Sequence, residues 1–386
     1  MTVTVKRTDY LALVTPQAHT TIVRLAPDGK RVAFARVIGH VQELCISEAV
    51  ESDPEAEDDS FWLDEKTMTR AEEEVTVLCA SRDGPITDIA WSPSGSHVAF
   101  RAGGSPPGFG DQVIWARSDE PGELGRADGM AFAWSPDRPV LYVADPDEFA
   151  LRRIAIDEGK SQDLAEFIHF RNPRYWPQVN ACPDGRRLVF TSRHASDDTT
   201  RVWLVEPAEG RPETQLITWI PGSDVYVAPV WSTKGVSLAL YVVHADVGRS
   251  GLIVLRGLRG EGQIFYEHEA LDGAVAPAWA IDGRSFALFR HEPQPAGAPT
   301  PAEAAEQTEE DDPFDPQRMP TGSPGQLLGD HALVRLDLET GLHDRLCEPG
   351  ELRGSVRALD DTRLLIDGGK AAHVLELTVT QEEKKE

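Results

Sequence analysis

The sequence predicts an all-β repeat protein, and three observations lead to that prediction. One phrase, Trp-Ser-Pro-x-Gly followed by a short apolar run, returns along the 386 residues, and each copy pairs turn-forming with apolar residues. The spacing between copies is regular except where acidic segments are inserted. The copies cover residues 25–34, 90–100, 133–143, 180–190, 230–240, 278–288 and, weakly, 358–368.

Each copy encodes a hairpin followed by two further strands. In the second copy, Ile-Ala-Trp at 89–91 is followed by a Ser-Pro-Ser-Gly turn and the apolar run at 97–100. Proline presets φ for a turn, and glycine accepts positive φ. The fourth copy continues with β-rich runs at 201–205 and 215–218. Four antiparallel strands in about 45 residues are typical of a blade of a β-propeller.

The distances between equivalent turn positions agree with this repeat length. The steps are 66, 43, 47, 50, 48 and 78 residues, and both long steps contain an insertion. The equivalent positions are Gly29, Gly95, Arg138, Gly185, Gly235, Gly283 and Asp361.

The last copy lacks one strand. It has a turn at 359–362 and strands near 363–367 and 373–379, whereas the N-terminus has a spare strand at 10–14. Pairing the two would hide both exposed edges. The sequence therefore predicts a seven-bladed β-propeller of four-stranded antiparallel blades, closed by the N-terminal strand, as a single domain over 1–386.

The repeated phrase Trp-Ser-Pro-Asp-Gly-x-x-hydrophobic-Ala-Phe resembles the WD-repeat-like propeller of the TolB family, which also occurs as the propeller domain of prolyl oligopeptidase-type peptidases. The resemblance extends over about residues 9–380, and the hydrolase domain of those peptidases has no counterpart here. Because this propeller serves unrelated functions, the resemblance implies a fold and no activity.

Charge is concentrated in two segments. The net charge is −26. Residues 48–74 hold twelve acids and two bases, net −10, and residues 292–330 hold nine acids and one base, net −8. An acidic chain does not suit nucleic acid or an anionic membrane, because phosphates require Lys and Arg. We expect a protein partner, of basic character.

The two acidic segments are predicted insertions. Segment 292–330 contains eight prolines and is expected to be disordered, between the second and third strands of blade six. Segment 48–74 falls between the third and fourth strands of blade one, so the two should lie on opposite faces. Within it, Phe61 and Trp62 either fold back on blade one or dock a basic partner with an apolar groove.

Cysteines and the N-terminus bear on location. Cys45, Cys79, Cys182 and Cys347 show no CxxC pairing, which favours structural thiols in a reducing compartment. The first residues lack the basic and apolar regions of a signal peptide. We expect a cytoplasmic protein, unless a signal has been removed.

Sequence motifs for catalysis are not found. No Gly-x-Ser-x-Gly elbow, phosphate loop or dinucleotide fingerprint occurs, and none of the eleven histidines forms His-x-His or His-Glu-x-x-His. His194, His244 and His291 follow second strands on one face, so a metal-dependent lyase of propeller type stays an alternative. We expect no cofactor and no metal.

The segment 171–177, which reads Arg-Asn-Pro-Arg-Tyr-Trp-Pro, is predicted to overhang the channel mouth, because it connects an outer strand to an innermost one. It is rich in the residue types of binding hot spots, although its aromatic residues could instead pack within the blade. The candidate binding residues on this face are Arg171, Arg174, Tyr175, Trp176, Arg193, His194, Asp224, Tyr226 and Phe109.

These observations predict a non-catalytic interaction scaffold or regulatory subunit of a cytoplasmic multiprotein complex. Two alternatives stay open. One is a propeller enzyme or carbohydrate-binding protein that uses the channel mouth, and the other is a regulatory propeller acting in trans on a separate hydrolase.

Overall fold

The computed structural model describes the chain except for residues 1, 13–18, 53–73, 82–84, 104–110, 146–147, 149, 168–176, 195–197, 208–211, 223–224, 245–248, 257, 259–262, 270–277, 281–284, 292–330, 338–339, 341–342, 349–350, 353–354, 361, 368–370 and 381–386. The described residues form an all-β protein of strands and turns, without a helix. The strands are β1 (Thr2–Ala12), β2 (His19–Leu25), β3 (Arg31–Ile38), β4 (Val41–Ser52), β5 (Thr76–Ser81), β6 (Ile86–Trp91), β7 (His97–Ala102), β8 (Gln112–Arg117), β9 (Leu124–Asp128), β10 (Ala131–Trp134), β11 (Val140–Asp145), β12 (Ala150–Ala155), β13 (Lys160–Glu166), β14 (Val179–Ala181), β15 (Leu188–His194), β16 (Thr199–Glu206), β17 (Glu213–Pro221), β18 (Val225–Trp231), β19 (Ser237–His244), β20 (Arg249–Arg256), β21 (Gln263–Glu269), β22 (Ala278–Ala280), β23 (Ser285–His291), β24 (His331–Asp337), β25 (His343–Arg345), β26 (Ser355–Ala358), β27 (Arg363–Asp367) and β28 (Ala371–Thr380).

The strands form antiparallel sheets in which neighbours in sequence are neighbours in space. Five sheets have four strands each, in the orders β6–β9, β10–β13, β14–β17, β18–β21 and β22–β25. An eight-stranded sheet follows the path β2-β3-β4-β1-β28-β27-β26, with β5 paired to β4. In this sheet β1 pairs with β28 along ten residues, and its end, from Asp9 to Ala12, also pairs with β4.

Two boundaries differ from the sequence prediction. The N-terminal strand begins at Thr2 and ends at Ala12, not at 10–14, because 2–7 alternate between partly buried Val3 and Val5 and exposed Thr4 and Lys6. Similarly, β4 extends to Ser52, so the segment 48–74 begins as strand, and 53–73 lie outside the described residues.

The repeated turn has the same hydrogen bonds in several copies. Gly29, Gly95, Gly185 and Gly235 all have φ between 68° and 70°, and each donates its N–H to the carbonyl three residues earlier at 2.8–2.9 Å. Such positive φ is costly for residues with a Cβ. In the third copy, where Arg138 replaces glycine, Val140 N–H instead donates to the Arg138 carbonyl at 2.8 Å.

The tryptophan of the repeat links one sheet to the preceding one. The indole Nε1 of Trp91 donates to Arg24 O at 2.9 Å, that of Trp134 to Ala90 O at 3.1 Å, and that of Trp231 to Asn180 O at 3.2 Å. Each ring is also buried. The repeat tryptophan therefore combines packing with a hydrogen bond to a strand of the preceding sheet, namely β2, β6 or β14.

An arginine two residues after the turn glycine adds a second link. Arg31 Nη2 donates to Gly95 O at 2.9 Å in the next sheet, and Arg187 Nη2 donates to Gly235 O at 2.7 Å. Each guanidinium also lies over the tryptophan of that next sheet, 5.1 Å from the Trp91 centroid and 5.4 Å from the Trp231 centroid.

The apolar core lies between neighbouring sheets. We call β2, β6, β10, β14, β18, β22 and β26 the first strands, and the strand that follows each of them in sequence a second strand. Phe34, Phe100, Phe190 and Phe286 of the second strands are at most 1% exposed. First strands of successive sheets contact each other, namely β2 with β6, β10 with β14, β14 with β18, β18 with β22, and β22 with β26. Residues of β2, β6, β10, β14 and β26 border a common space, which contains the candidate site.

Candidate functional site

A cavity of ≈ 240 Å³ lies where five first strands meet. Its walls come from β2, β6 and β26, from the start of β10, and from Pro177, Gln178 and the first residue of β14. Charged groups on these walls are Arg24, Asp88 and Arg357. Residues from distant parts of the sequence thus converge on one polar space.

Asp367, at the end of β27, organises one wall of this cavity. We call Asp367 and the three residues that contact it, Arg24, Ser355 and Arg357, the Asp367 cluster. The Asp367 side chain is 0% exposed. Arg24 Nη1 lies 3.2 Å from its Oδ1, Arg357 Nη2 donates to its Oδ2, and Ser355 Oγ donates to its Oδ1 at 2.9 Å. Because Arg24 belongs to β2 and Arg357 to β26, the carboxylate joins the two ends of the eight-stranded sheet.

The electrostatics of the Asp367 cluster keep this carboxylate ionised. Burial by itself would raise the pKa of Asp367, but the charges of Arg24 and Arg357 and the hydrogen bonds from Arg357 and Ser355 outweigh burial, and the pKa is lowered. A general acid or base near neutral pH needs a pKa close to 7. Asp367 therefore acts as a fixed counter-ion that positions two guanidinium groups.

Asp88 forms the opposite charged element of the cavity. Its φ of 51° is left-handed, and the register of β6 with β7 shifts between Thr87 and Ala90. Asp88 forms an ion pair with Arg101, in which Oδ2 of Asp88 lies 2.8 Å from Nε of Arg101. Aspartate tolerates this backbone region better than most residues, and such outliers concentrate at functional sites.

The structure describes part of the set of binding residues predicted from the sequence. Arg193 on β15 is 7% exposed, with Nη2 3.7 Å from Asp198 Oδ1, and His194 ends the same strand. Tyr226 on β18 is also 7% exposed. Its pKa is raised, first by burial and then by the negative charge of Asp88, which lines the cavity. Their binding role stays a prediction.

The remaining predicted binding residues lie outside the described residues. Pro177, the last residue of the segment predicted to overhang the channel mouth, and Gln178 directly after it line the cavity. The residues concerned are Arg171, Arg174, Tyr175, Trp176, Asp224, Phe109, Phe61 and Trp62.

Sequence reasoning did not find the Asp367 cluster. Arg24 and Asp367 are separated by almost the whole chain and belong to no local motif. One weak signal existed: Asp367 interrupts the apolar run Leu-Leu-Ile-Asp at a position where a second strand is otherwise buried. A charge at a buried strand position implies an ionic partner, but not which one.

The four cysteine thiols are free and unreactive in character. Burial is the first cause that raises the pKa of each, to about 12 for Cys45 and to about 11 for Cys79, Cys182 and Cys347. A nucleophilic cysteine needs a lowered pKa. These thiols are therefore protonated at neutral pH and suited to packing.

Metal-binding groups and membrane-spanning helices are both absent from the part of the chain that the structure describes. No group of three or more His, Cys, Asp or Glu side chains is placed to hold a metal ion there. Within those same residues, no helix has the length and apolarity needed to cross a membrane.

Comparison with known proteins gives similarity in structure alone. No protein-family model matches the sequence, and no curated protein matches it. Among solved structures, prolyl oligopeptidase B from Galerina marginata, bound to a 35mer hydrolysis and macrocyclization substrate, has a TM-score of 0.52 at 11% identity, covering 92% of this chain and 47% of its own.

A second similar structure is TolB from Acinetobacter baumannii, with a TM-score of 0.46 at 14% identity, covering 91% of this chain and 65% of its own. This chain thus spans less than two thirds of either protein. The inference of fold rests on the match to prolyl oligopeptidase B, which confirms the resemblance predicted from the repeated phrase. In fold, the chain resembles the TolB-like β-propeller found in prolyl oligopeptidase-type peptidases.

Proposed function

We propose that the chain is a non-catalytic interaction scaffold, built as a seven-bladed ring that captures a protein partner at the cavity between its first strands. The strands divide into seven groups of four if β1 is counted with β26, β27 and β28. The pairing of β1 with β28 supports closure by the N-terminal strand, and the Arg24–Asp367 ion pair joins the last group to the first. On this proposal residues 1–386 form one domain.

The single observation that carries the proposal is the Asp367 cluster. It fixes two arginines from separate strands toward one cavity, with a carboxylate whose lowered pKa suits it to positioning rather than proton transfer. Arginine is enriched where interfaces bind most strongly, since its planar donors recognise carboxylates and carbonyls in fixed geometry. A preordered guanidinium is therefore a recognition element.

The chemistry of the captured group follows from these donors. Arg357 is 50% exposed, lines the cavity and uses Nη2 for Asp367. We expect a carboxylate or a backbone carbonyl of the partner to enter the cavity. At longer range the net charge of −26 attracts a basic partner, in a compartment that keeps the four thiols reduced.

Substitution of Arg357 by alanine tests the proposal. The affinity-tagged full chain should recover a stoichiometric protein partner from a lysate of its source. Arg357→Ala should reduce that recovery about tenfold or more, because truncated hot-spot residues cost about 2 kcal/mol or more. Recovery is measured by quantitative mass spectrometry of the eluted proteins.

Arg363→Ala is the matched control. Arg363 lies in the same sheet with 51% of its side chain exposed and also pairs with one aspartate, Asp360, but at the turn end of β27. Its substitution should leave partner recovery unchanged. Repeated recovery of the chain without a partner, or equal recovery by both variants, would contradict the proposal.

A further inference from the structure

The outer strand β17 lies at the edge of its sheet. Among the described strands it pairs with β16 alone, and its nine residues carry no charge from Thr214 to Ile220. Other outer strands are shorter or charged: β9 contains Arg126 and Asp128, and β25 has three residues including Asp344 and Arg345. Proteins usually protect edges by charge, proline or short length. β17 does so only at its ends.

A bulge places two large apolar side chains of β17 on one face. The register with β16 shifts between Val202 and Trp203, so that Trp219 lies opposite Arg201 and Leu216 opposite Trp203. Because 201 and 203 point to the same side of the sheet, Leu216 and Trp219 do as well. Ile217 and Ile220 instead pack in the apolar cluster on the other side, which contains Val202.

Both of these side chains are exposed, and Trp219 is much the more exposed of the two. Trp219 is 63% exposed and Leu216 is 37% exposed. Among the described residues, Trp219 is the one large aromatic side chain that is mostly exposed. By contrast, Trp91, Trp134 and Trp231 are each at most 8% exposed. Tryptophan exposed next to an aliphatic side chain is the composition of a binding hot spot.

Two exposed carboxylates lie at the start of the same edge. Glu206 of β16 and Glu213 of β17 lie directly opposite each other, and both are exposed. Neither carboxylate forms an ion pair with another described residue. Like charges opposite each other on neighbouring strands destabilise the pair, so a cation supplied from outside would be favourable here.

We propose that β17 binds an extended segment of a partner protein by antiparallel strand addition. Apolar side chains of that segment pack between Leu216 and Trp219, and a lysine or arginine at one end faces Glu206 and Glu213. Main-chain hydrogen bonds to the free edge supply affinity, and alternate side chains supply specificity. A second copy of the chain fits less well, because two chains of net charge −26 repel each other.

Peptide selection on the full-length protein tests this proposal independently of the cavity. A library of random twelve-residue peptides displayed on phage is selected against the wild-type chain. Enriched sequences should alternate apolar residues and carry a lysine or arginine near one end. Binding of a synthesised enriched peptide should weaken at least tenfold in Trp219→Lys and remain unchanged in Val236→Lys, whose valine is 64% exposed on a turn.

Backbone methylation separates strand addition from simple apolar contact. Two forms of the peptide carry N-methyl groups on alternate amides, one form on each set. Only the form methylated on the amides that face β17 should lose binding. The proposal is overturned if no peptide distinguishes wild type from Trp219→Lys, or if both methylated forms bind. It is also overturned if sedimentation shows a wild-type dimer that Trp219→Lys converts to monomer, since the occupant is then a second copy.

Discussion

The two ends of the second strands differ in chemistry. At the turn end, Arg31 and Arg187 make the same contacts, each with an aspartate three residues earlier and with the turn glycine of the next sheet. At the opposite end, four of the second strands each carry a different buried charge with a different partner. Those charges are Arg101 with Asp88, Asp145 with Arg152, Arg193 with Asp198, and Asp367 with Arg24 and Arg357.

On the proposed function, the recurring contacts serve packing alone, and the unrepeated charges also serve recognition. A contact that recurs from sheet to sheet is one that every sheet needs in order to pack against its neighbour. A buried charge whose partners differ from those in the other sheets is not part of that shared packing. Among the charged groups named above, Arg24, Asp88 and Arg357 line the cavity.

Asp367→Asn should give the largest loss of stability, because it leaves Arg24 and Arg357 without their shared counter-ion. Removing one partner of a buried ion pair costs about 3–5 kcal/mol. The free energy of unfolding, measured by urea denaturation at neutral pH, should fall by about that amount. Asp360→Asn, at the exposed turn of the same sheet, should cost less than about 1 kcal/mol. Equal losses would mean that the two aspartates have equivalent structural roles.

The pH dependence of the same comparison has a defined sign. The pKa of Asp367 is lower in the folded state than its ordinary value, so its ionic contribution is present at neutral pH and is lost as pH falls through the folded pKa. The difference in unfolding free energy between wild type and Asp367→Asn should therefore be constant above about pH 5 and shrink below about pH 4. A difference that grew on acidification would contradict the assigned charge state.

Arg187→Ala should give an intermediate loss. The substitution removes the hydrogen bond to Gly235 O, the ion pair with Asp184 and the contact over Trp231. Together these are worth about 1–2 kcal/mol, measured by urea denaturation. The neighbouring Arg186→Ala changes an exposed arginine and should cost less than about 0.5 kcal/mol. If both variants are equally stable, the link between adjacent turns contributes nothing.

Trp134→Phe should give the smallest of these losses. It keeps most of the buried ring and removes the hydrogen bond from Nε1 to Ala90 O, at a cost of about 1 kcal/mol. Trp219→Phe, on the exposed edge, should change the free energy of unfolding by less than about 0.5 kcal/mol, measured by urea denaturation. The reverse order would show that the repeat tryptophan acts through packing volume alone.

Much of the fold could be predicted from the sequence because local chemistry determines it. Gly29, Gly95, Gly185 and Gly235 mark turns that only a residue tolerant of positive φ can form, and all four have that φ. The β-rich run predicted at 201–205 lies within β16. The start of β1 was missed because its alternation of threonine, valine and lysine has little apolar character.

The candidate site could not be predicted in the same way. Arg24, Arg357 and Asp367 meet only because β2 and β26 are the two ends of one folded sheet path. The bulge that aligns Leu216 with Trp219 likewise depends on pairing with β16 and not on the sequence of β17 alone. Both features arise from long-range pairing, about which the spacing of residues in one segment says nothing.

The central claim is that the repeated contacts only join adjacent sheets, whereas the unrepeated Asp367 cluster at the cavity both stabilises the fold and recognises a partner. Partner recovery by Arg187→Ala and by Arg357→Ala, compared at a temperature where both variants are fully folded, tests this claim most directly. We predict that Arg187→Ala recovers the partner as wild type does, although it unfolds at lower urea, and that Arg357→Ala recovers about tenfold less. Normal recovery by Arg357→Ala together with loss in Arg187→Ala would contradict the claim.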